Sequence, residues 1–229
     1  MSAGRLALLV AVTLLAASAG GAEPPLGIGE PRAPEPFTLE QRLLDAARRG
    51  DRATLERALA KGAPPGAKDD VGRSALLLAA RDAGSLELVQ LLHARGAALD
   101  EPDATGRAAL SWAAADGRLE LVRWLAERGA VVDRPDVDRR TPLFHAAAGG
   151  HLDVARVLLE RGASPNAPDR FGDTPLMVAC IRAQDGMAEL LLARGADPRL
   201  RNQEGKSAAE RAAPGTPHCL ETGAPSPPR

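Results

Sequence analysis

The sequence predicts an all-α solenoid, and two countable regularities together with the composition of the core predict it. Gly-Ala pairs begin at Gly62, Gly96, Gly129, Gly162 and Gly195, at intervals of 34, 33, 33 and 33 residues. Small-residue pairs begin at Ala46, Ala79, Ala113, Ala146, Ala179 and Ala212, at intervals of 33, 34, 33, 33 and 33. A fixed period near 33 marks stacked units, none of which can bury its apolar face alone. Aromatic residues are 2% of the chain and Tyr is absent, so the core must be Leu, Val and Ala. The two series agree that one extra residue lies between Ala80 and Gly96, and they point to the helix turn Arg81-Asp82-Ala83-Gly84.

The chain opens with a segment distinct from the repeats. Arg5 precedes an apolar run from Leu6 to Ala17, and small residues follow at Ala17-Ser18-Ala19 and Gly20-Gly21-Ala22. This reads as a secretory signal peptide over residues 1–19, with cleavage as late as 22. The 12-residue apolar run is short of the roughly 20 residues a bilayer span needs, so cleavage and export are expected rather than stable membrane insertion. Residues 20–37 form a Pro-rich linker containing Pro24, Pro25, Pro31, Pro34 and Pro36, which can sustain neither a helix nor a central strand.

The repeat domain is expected over residues 38–213, as about five units and a C-terminal half-unit. Each part of the period has a physical reason. Thr141-Pro142 and Thr174-Pro175 start helices, because a Thr oxygen accepts an unpaired helix N–H and Pro is tolerated in the first turn. The Ala pairs leave the first helix thin enough for neighbouring backbones to stack. In the second helix the apolar residues recur at helical spacing: Leu88, Val89, Leu91 and Leu92, then Leu121, Val122, Trp124 and Leu125, then Val154, Val157, Leu158 and Leu159. The closing glycines supply the left-handed residue that ends a helix most cheaply. The Arg-rich first unit and the last half-unit, with Lys206, Glu210 and Arg211, read as polar end caps. Pro214 stops the last helix, and residues 214–229 are expected to form a disordered tail.

Thr141-Pro142-Leu143-Phe144-His145-Ala146 and Thr174-Pro175-Leu176-Met177-Val178-Ala179 sit in register within this period. On these residues the chain resembles the ankyrin repeat family, whose signature is T-P-L-H-x-A. The resemblance implies turn-helix-helix units, with adjacent turns forming short protruding β-hairpin loops. It also implies a protein-binding role, with partners met by the hairpin tips and the concave side of the first helices. The departures are specific. Leu77, Ser111, Phe144 and Met177 replace the signature His. Gly72, Gly106, Gly172 and Gly205 stand at tips, but Arg139 occupies that place in the fourth unit, where a positive φ would cost it on the order of 1 kcal/mol. Asp185 replaces the Leu found at Leu86, Leu119 and Leu152, which weakens the second helix of the fifth unit.

Chemistry-bearing motifs are few. Gly205-Lys206-Ser207 ends like a phosphate-binding loop, but Leu200 stands where its first Gly belongs, and the repeat explains the same residues as a tip and helix start. His93, His145, His151 and His218 lack metal-ligand spacing, and His151 is expected to be structural. Cys180 takes a stacking Ala position and Cys219 lies in the tail. A bridge between them is permitted in an exported compartment but would tie down the tail, so a free Cys219 thiol is expected. No catalytic, cofactor or metal site is therefore assigned, and the chain is not read as an enzyme.

The formal charge of −1, with both signs interspersed, gives no reason to expect nucleic acid. The candidate partner site is Arg73, Arg107, Trp112, Arg140, Phe171 and Arg182, because Arg and aromatic residues combine contact area with directional bonds. The resulting expectation is a monomeric, exported, non-enzymatic protein-binding module, periplasmic if the source is Gram-negative. A spacer without a specific partner and an enzyme with an unrecognised site are the alternatives.

Overall fold

The computed structural model describes residues 37–213 and Cys219. The segment expected to be a signal peptide, most of the expected linker and the rest of the expected tail lie outside the described residues. Among the described residues the regular elements are eleven helices, arranged as the period requires. First helices are α1 (Leu39–Arg49), α3 (Ala75–Leu78), α5 (Ala109–Ala115), α7 (Pro142–Gly149), α9 (Pro175–Ile181) and α11 (Ala208–Arg211). Second helices are α2 (Arg52–Ala60), α4 (Leu86–Ala94), α6 (Leu119–Glu127), α8 (Leu152–Glu160) and α10 (Asp185–Ala193). α3, α7, α9 and α11 each pack on the first helix before them, α5 packs on the turn Ala79–Ala83 that follows α3, and α6, α8 and α10 each pack on the second helix before them.

Side-chain caps set the helix starts. Thr38 and Gln41 exchange bonds with each other's backbone at α1, and Ser207 and Glu210 do the same at α11. The oxygens of Ser74, Thr141 and Thr174 accept the N–H three residues on, at Leu77, Phe144 and Met177. Ala108 cannot do this, and α5 starts without a side-chain cap. Asp51 and Ser85 cap α2 and α4 as Ser74 caps α3, accepting from the N–H of Thr54 and Leu88, but α6 and α8 start without a side-chain cap. Arg118 and His151, each just after a turn glycine, reach back to the first helix of the preceding unit, donating to the carbonyls of Ala80 and Ala115. Their side chains lie over Gly84 and Gly117, where an added Cβ would collide with them.

The extra residue of the second unit sits where the period placed it. Beyond α3 the backbone widens into a π turn, Ala79–Ala83, before Gly84 closes it in the left-handed region with φ of 61°. A π turn absorbs one inserted residue without shifting the flanking helix faces, so α4 keeps the phase of α6 and α8. Ala79, Ala80, Ala113, Ala114, Ala146 and Ala147 are all fully buried, and Leu88, Val89, Leu92, Leu121, Val122, Leu125, Val154 and Leu158 fill the layer behind them. Each of these leucines contributes roughly 2 kcal/mol by leaving water. The signature-His positions are filled by apolar packing at Leu77, Phe144 and Met177, and Ser111 is buried there too.

Among the described residues, two non-glycine residues have positive φ. Arg139, at 62°, adopts the glycine conformation of its tip as the repeat required, and Ala183, at 54°, does so in the helix turn where earlier units carry Gly84, Gly117 and Gly150. The fifth unit nevertheless forms α10 over nine residues. Asp185, whose loss of a Leu predicted a weak helix, stands in the first turn of α10, where its charge meets the positive end of the helix dipole.

The expectation of a free Cys219 thiol is corrected: Cys219 is bonded to Cys180, with both residues fully buried and their Cα atoms 5.7 Å apart. Burial removes the premise for a free thiol, because Cys219 packs into the apolar core beside α9 rather than remaining in solvent.

Candidate functional site

Five tight turns join the units, and one residue builds each of them. Asp69, Asp103, Asp136, Asp169 and Asn202 stand three residues before the tip position, at intervals of 34, 33, 33 and 33. Oδ1 of each accepts two backbone N–H groups of its own turn, two and four residues on. For Asp136 these come from Asp138 and Arg140, both at 2.9 Å. For Asp169 they come from Phe171 at 2.8 Å and Asp173 at 3.0 Å. The turns are not paired strands: the isolated β-bridge among the described residues joins Lys68 and Ser74. Instead the tips bond to one another, Val137 N–H to Thr105 O, Arg170 N–H to Asp138 O and Gln203 N–H to Phe171 O, at 2.8 to 3.0 Å. The last four tips thus form one hydrogen-bonded row. Gly106 is indispensable to it twice over, since its φ is 79° and a Cβ would come 2.9 Å from the Val137 nitrogen.

The second oxygen of each turn carboxylate faces inward and meets a cation or donor. Asp69 Oδ2 takes Arg73 of its own turn at 2.7 Å and Arg48 at 3.5 Å. Asp103 Oδ2 accepts from the Trp112 indole at 2.9 Å. Asp136 Oδ2 is shared by Arg107 of the preceding unit, at 3.3 Å, and His145, at 2.9 Å. Asp169 Oδ2 lies 3.5 Å from Arg140, again of the preceding unit. At the last junction the chemistry is exchanged. Asp173 occupies the Arg position and Asn202 the Asp position, and the Asn202 amide donates to Asp173 Oδ1 at 2.8 Å. Arg211 then supplies the cation, at 3.1 Å from Asp173 Oδ2.

These contacts set the charges. Burial alone would raise the carboxyls of Asp69, Asp103 and Asp136. The bonds that converge on each, from Arg73, from Thr105 and Trp112, and from the Arg140 N–H, His145 and Arg107, outweigh it and hold all three below the ordinary carboxylate value. His145 goes the other way from a usual His–Asp pair. Burial, and after it the field of Arg107, outweighs the attraction of Asp136 and lowers its pKa to about 4. At neutral pH the ring is therefore neutral, with Nε2 donating to Asp136.

The residues predicted from sequence fall into two groups. Arg73, Arg107, Arg140 and Trp112 belong to the inner network. The Trp112 ring carries the Arg81 guanidinium at 4.1 Å and that of Arg107 at 4.7 Å, and Arg140 lies 5.3 Å from the Phe144 ring. Phe171 and Arg182 face outward. Phe171 is 46% exposed and carries Arg170 at 4.6 Å, and Arg182 is exposed at the end of α9. Alongside Phe171 in the tip row stand Val137, 67% exposed, and the exposed Arg139. The turn aspartates were not singled out from sequence, although their recurrence at the repeat interval was a sufficient signal. Lys206 and Ser207 fall where the period put them, in the last tip and at the cap of α11.

The geometry offers a rigid, ridged surface for recognition. Its backbone is fixed by the turn Asp and Asn side chains, and its outer side chains vary from tip to tip. A family model describing ankyrin repeats in three copies matches the chain over residues 43–136 and 131–202. No curated protein matches it.

Proposed function

Since the chain belongs to the ankyrin repeat family, whose members are in general protein–protein interaction modules, we propose that it is an exported, monomeric, non-enzymatic module that binds another protein. Contact is made through the hairpin tips and the concave side of the first helices. Val137, Arg139, Phe171 and Arg182 meet the partner directly, and Arg73, Arg107, Arg140 and Trp112 form the inner wall of the site. The observation that carries this reading is the tip row itself. Its middle holds two exposed apolar side chains and an arginine at a φ of 62°, a strained conformation that glycine occupies in the other tips. Strain of this kind concentrates at functional positions. Export is supported by the apolar leader and by the buried Cys180–Cys219 bridge, since such bonds persist in oxidising compartments.

The test crosslinks the native exported fraction, captures the full chain and identifies bound protein, for the wild type and for the triple variant Arg139→Glu, Phe171→Ala, Arg182→Glu. All three side chains are exposed, so the melting temperature should stay within about 2 °C. A protein captured by the wild type and lost with the variant supports the surface. Equal capture by both refutes it, and recovery of nothing beyond a bead control supports the spacer instead.

A further inference from the structure

The end of the stack is closed in a way that the units before it are not. Cys180 is the second member of its small pair, equivalent in the repeat to Ala80, Ala114 and Ala147. Behind each of those alanines the downstream side is covered by the following first helix, α5, α7 and α9 respectively, of seven or eight residues. Behind Cys180 the covering helix is α11, with four residues. A single turn cannot cover a helix of seven. Two further contacts complete the cover. The Ala213 N–H donates to Cys180 O at 3.0 Å, and Cys219, fully buried, is bonded to the Cys180 sulfur.

We propose that the Cys180–Cys219 bond is the C-terminal cap of this solenoid, and that the cap is redox-conditional: closed in an oxidising compartment, open in a reducing one. Closure forms one S–S bond and breaks two S–H bonds. The two electrons and two protons pass by thiol–disulfide exchange to a disulfide-bearing oxidant, which leaves as a dithiol. A reducing dithiol runs the exchange backwards, restores both thiols and withdraws Cys219 from α9. In a stack each unit is stabilised through its interface with the next, so a terminal interface without a cap frays first. The consequence falls on α9 and α10, the unit that also carries the strained Ala183. The protein-binding reading is independent of this one, since no residue of its test lies in the bond.

The experiment uses the full chain exported into an oxidising compartment. Alkylation of the unfolded protein without reductant should leave both cysteines unmodified, and alkylation after reduction should modify both. Cys219→Ser is compared with the wild type, each with and without dithiothreitol. Cys180→Ala, which restores the residue of the other units, guards against a packing defect from Ser. Reduction of the wild type should lower the melting temperature by about 5 °C or more. It should also raise hydrogen exchange in α9 and α10 at least tenfold while leaving α5 and α7 unchanged. Both variants should behave as the reduced wild type and ignore dithiothreitol. Two alkylated cysteines in the unreduced exported protein would overturn the proposal, as would coincident melts and exchange rates for the oxidised and reduced wild type.

Discussion

Acidification from pH 7 to pH 5 should destabilise this protein through His145. The imidazole is 6% exposed and its pKa lies near 4 in the folded chain, against about 6.5 when unfolded. A histidine whose pKa is lowered by folding is protonated more readily by the unfolded chain. Its contribution is therefore complete above pH 6.5 and is lost as the pH falls from there toward 4. By pH 5 the loss is about 2 kcal/mol, of a limiting value of about 3 kcal/mol. The turn carboxylates work in a lower window. Asp69, Asp103 and Asp136 are held below their ordinary value, so their contribution is present above about pH 4 and lost only on further acidification. Urea unfolding at pH 7 and pH 5 separates the two, with His145→Gln as the control that keeps an N–H donor toward Asp136 and cannot titrate. The wild type should lose about 2 kcal/mol more than the variant between these pH values, and the His145 Cε1–H resonance should titrate near pH 4. An imidazole titrating at 6 or above, or equal pH dependence in the two proteins, would show that Asp136 governs the ring and that its burial has been overvalued.

Two further outcomes follow from the repeat geometry. The last junction shows that an Asp–Asn pair can replace an Arg–Asp pair, so the exchange should be transferable. Asp136→Asn and Arg107→Asp should each cost about 2 to 3 kcal/mol, because each leaves buried polar groups facing the wrong partner. The double variant should recover at least about 1 kcal/mol of the summed loss in denaturant melts, and strict additivity would rule the transfer out. Arg139→Gly and Ala183→Gly should each stabilise by about 0.5 kcal/mol or more, since both relieve an unfavourable positive φ. A lowered urea midpoint in either would mean that the present side chain makes compensating contacts.

What was legible in the sequence is what recurs in kind as well as in place. The Gly-Ala pairs, the buried small pairs and the apolar stripe of the second helices repeat residue types, so counting alone located the units and the inserted residue. The tip network was harder to see because its Asp is one among many: Asp70, Asp133, Asp138 and Asp173 stand close by in the same turns and obscure the column. Which cation serves which carboxylate depends on the stagger between units, and sequence spacing does not carry that. Arg107 and Arg140 accordingly read as free interface side chains, although their ion-pair partners lie 29 residues on, at Asp136 and Asp169. Ala183 gave no hint of its positive φ because alanine is ordinary everywhere else in the fold. The bridge was set aside because a terminal Pro-rich segment is judged by its composition, and one buried residue within it does not change that composition.

The clasp between neighbouring tips has a direction. Arg107 and Arg140 each close on the turn of the unit that comes after their own, so the cation precedes its carboxylate in the chain. In a polypeptide that emerges amino end first, the cation at each of these junctions is made before its carboxylate. The two ion-pair clasps can thus close course upon course in the order of synthesis. The final junction breaks this rule, since Asp173 takes its cation from Arg211, farther along the chain. Completion of the last course depends on the carboxyl end arriving.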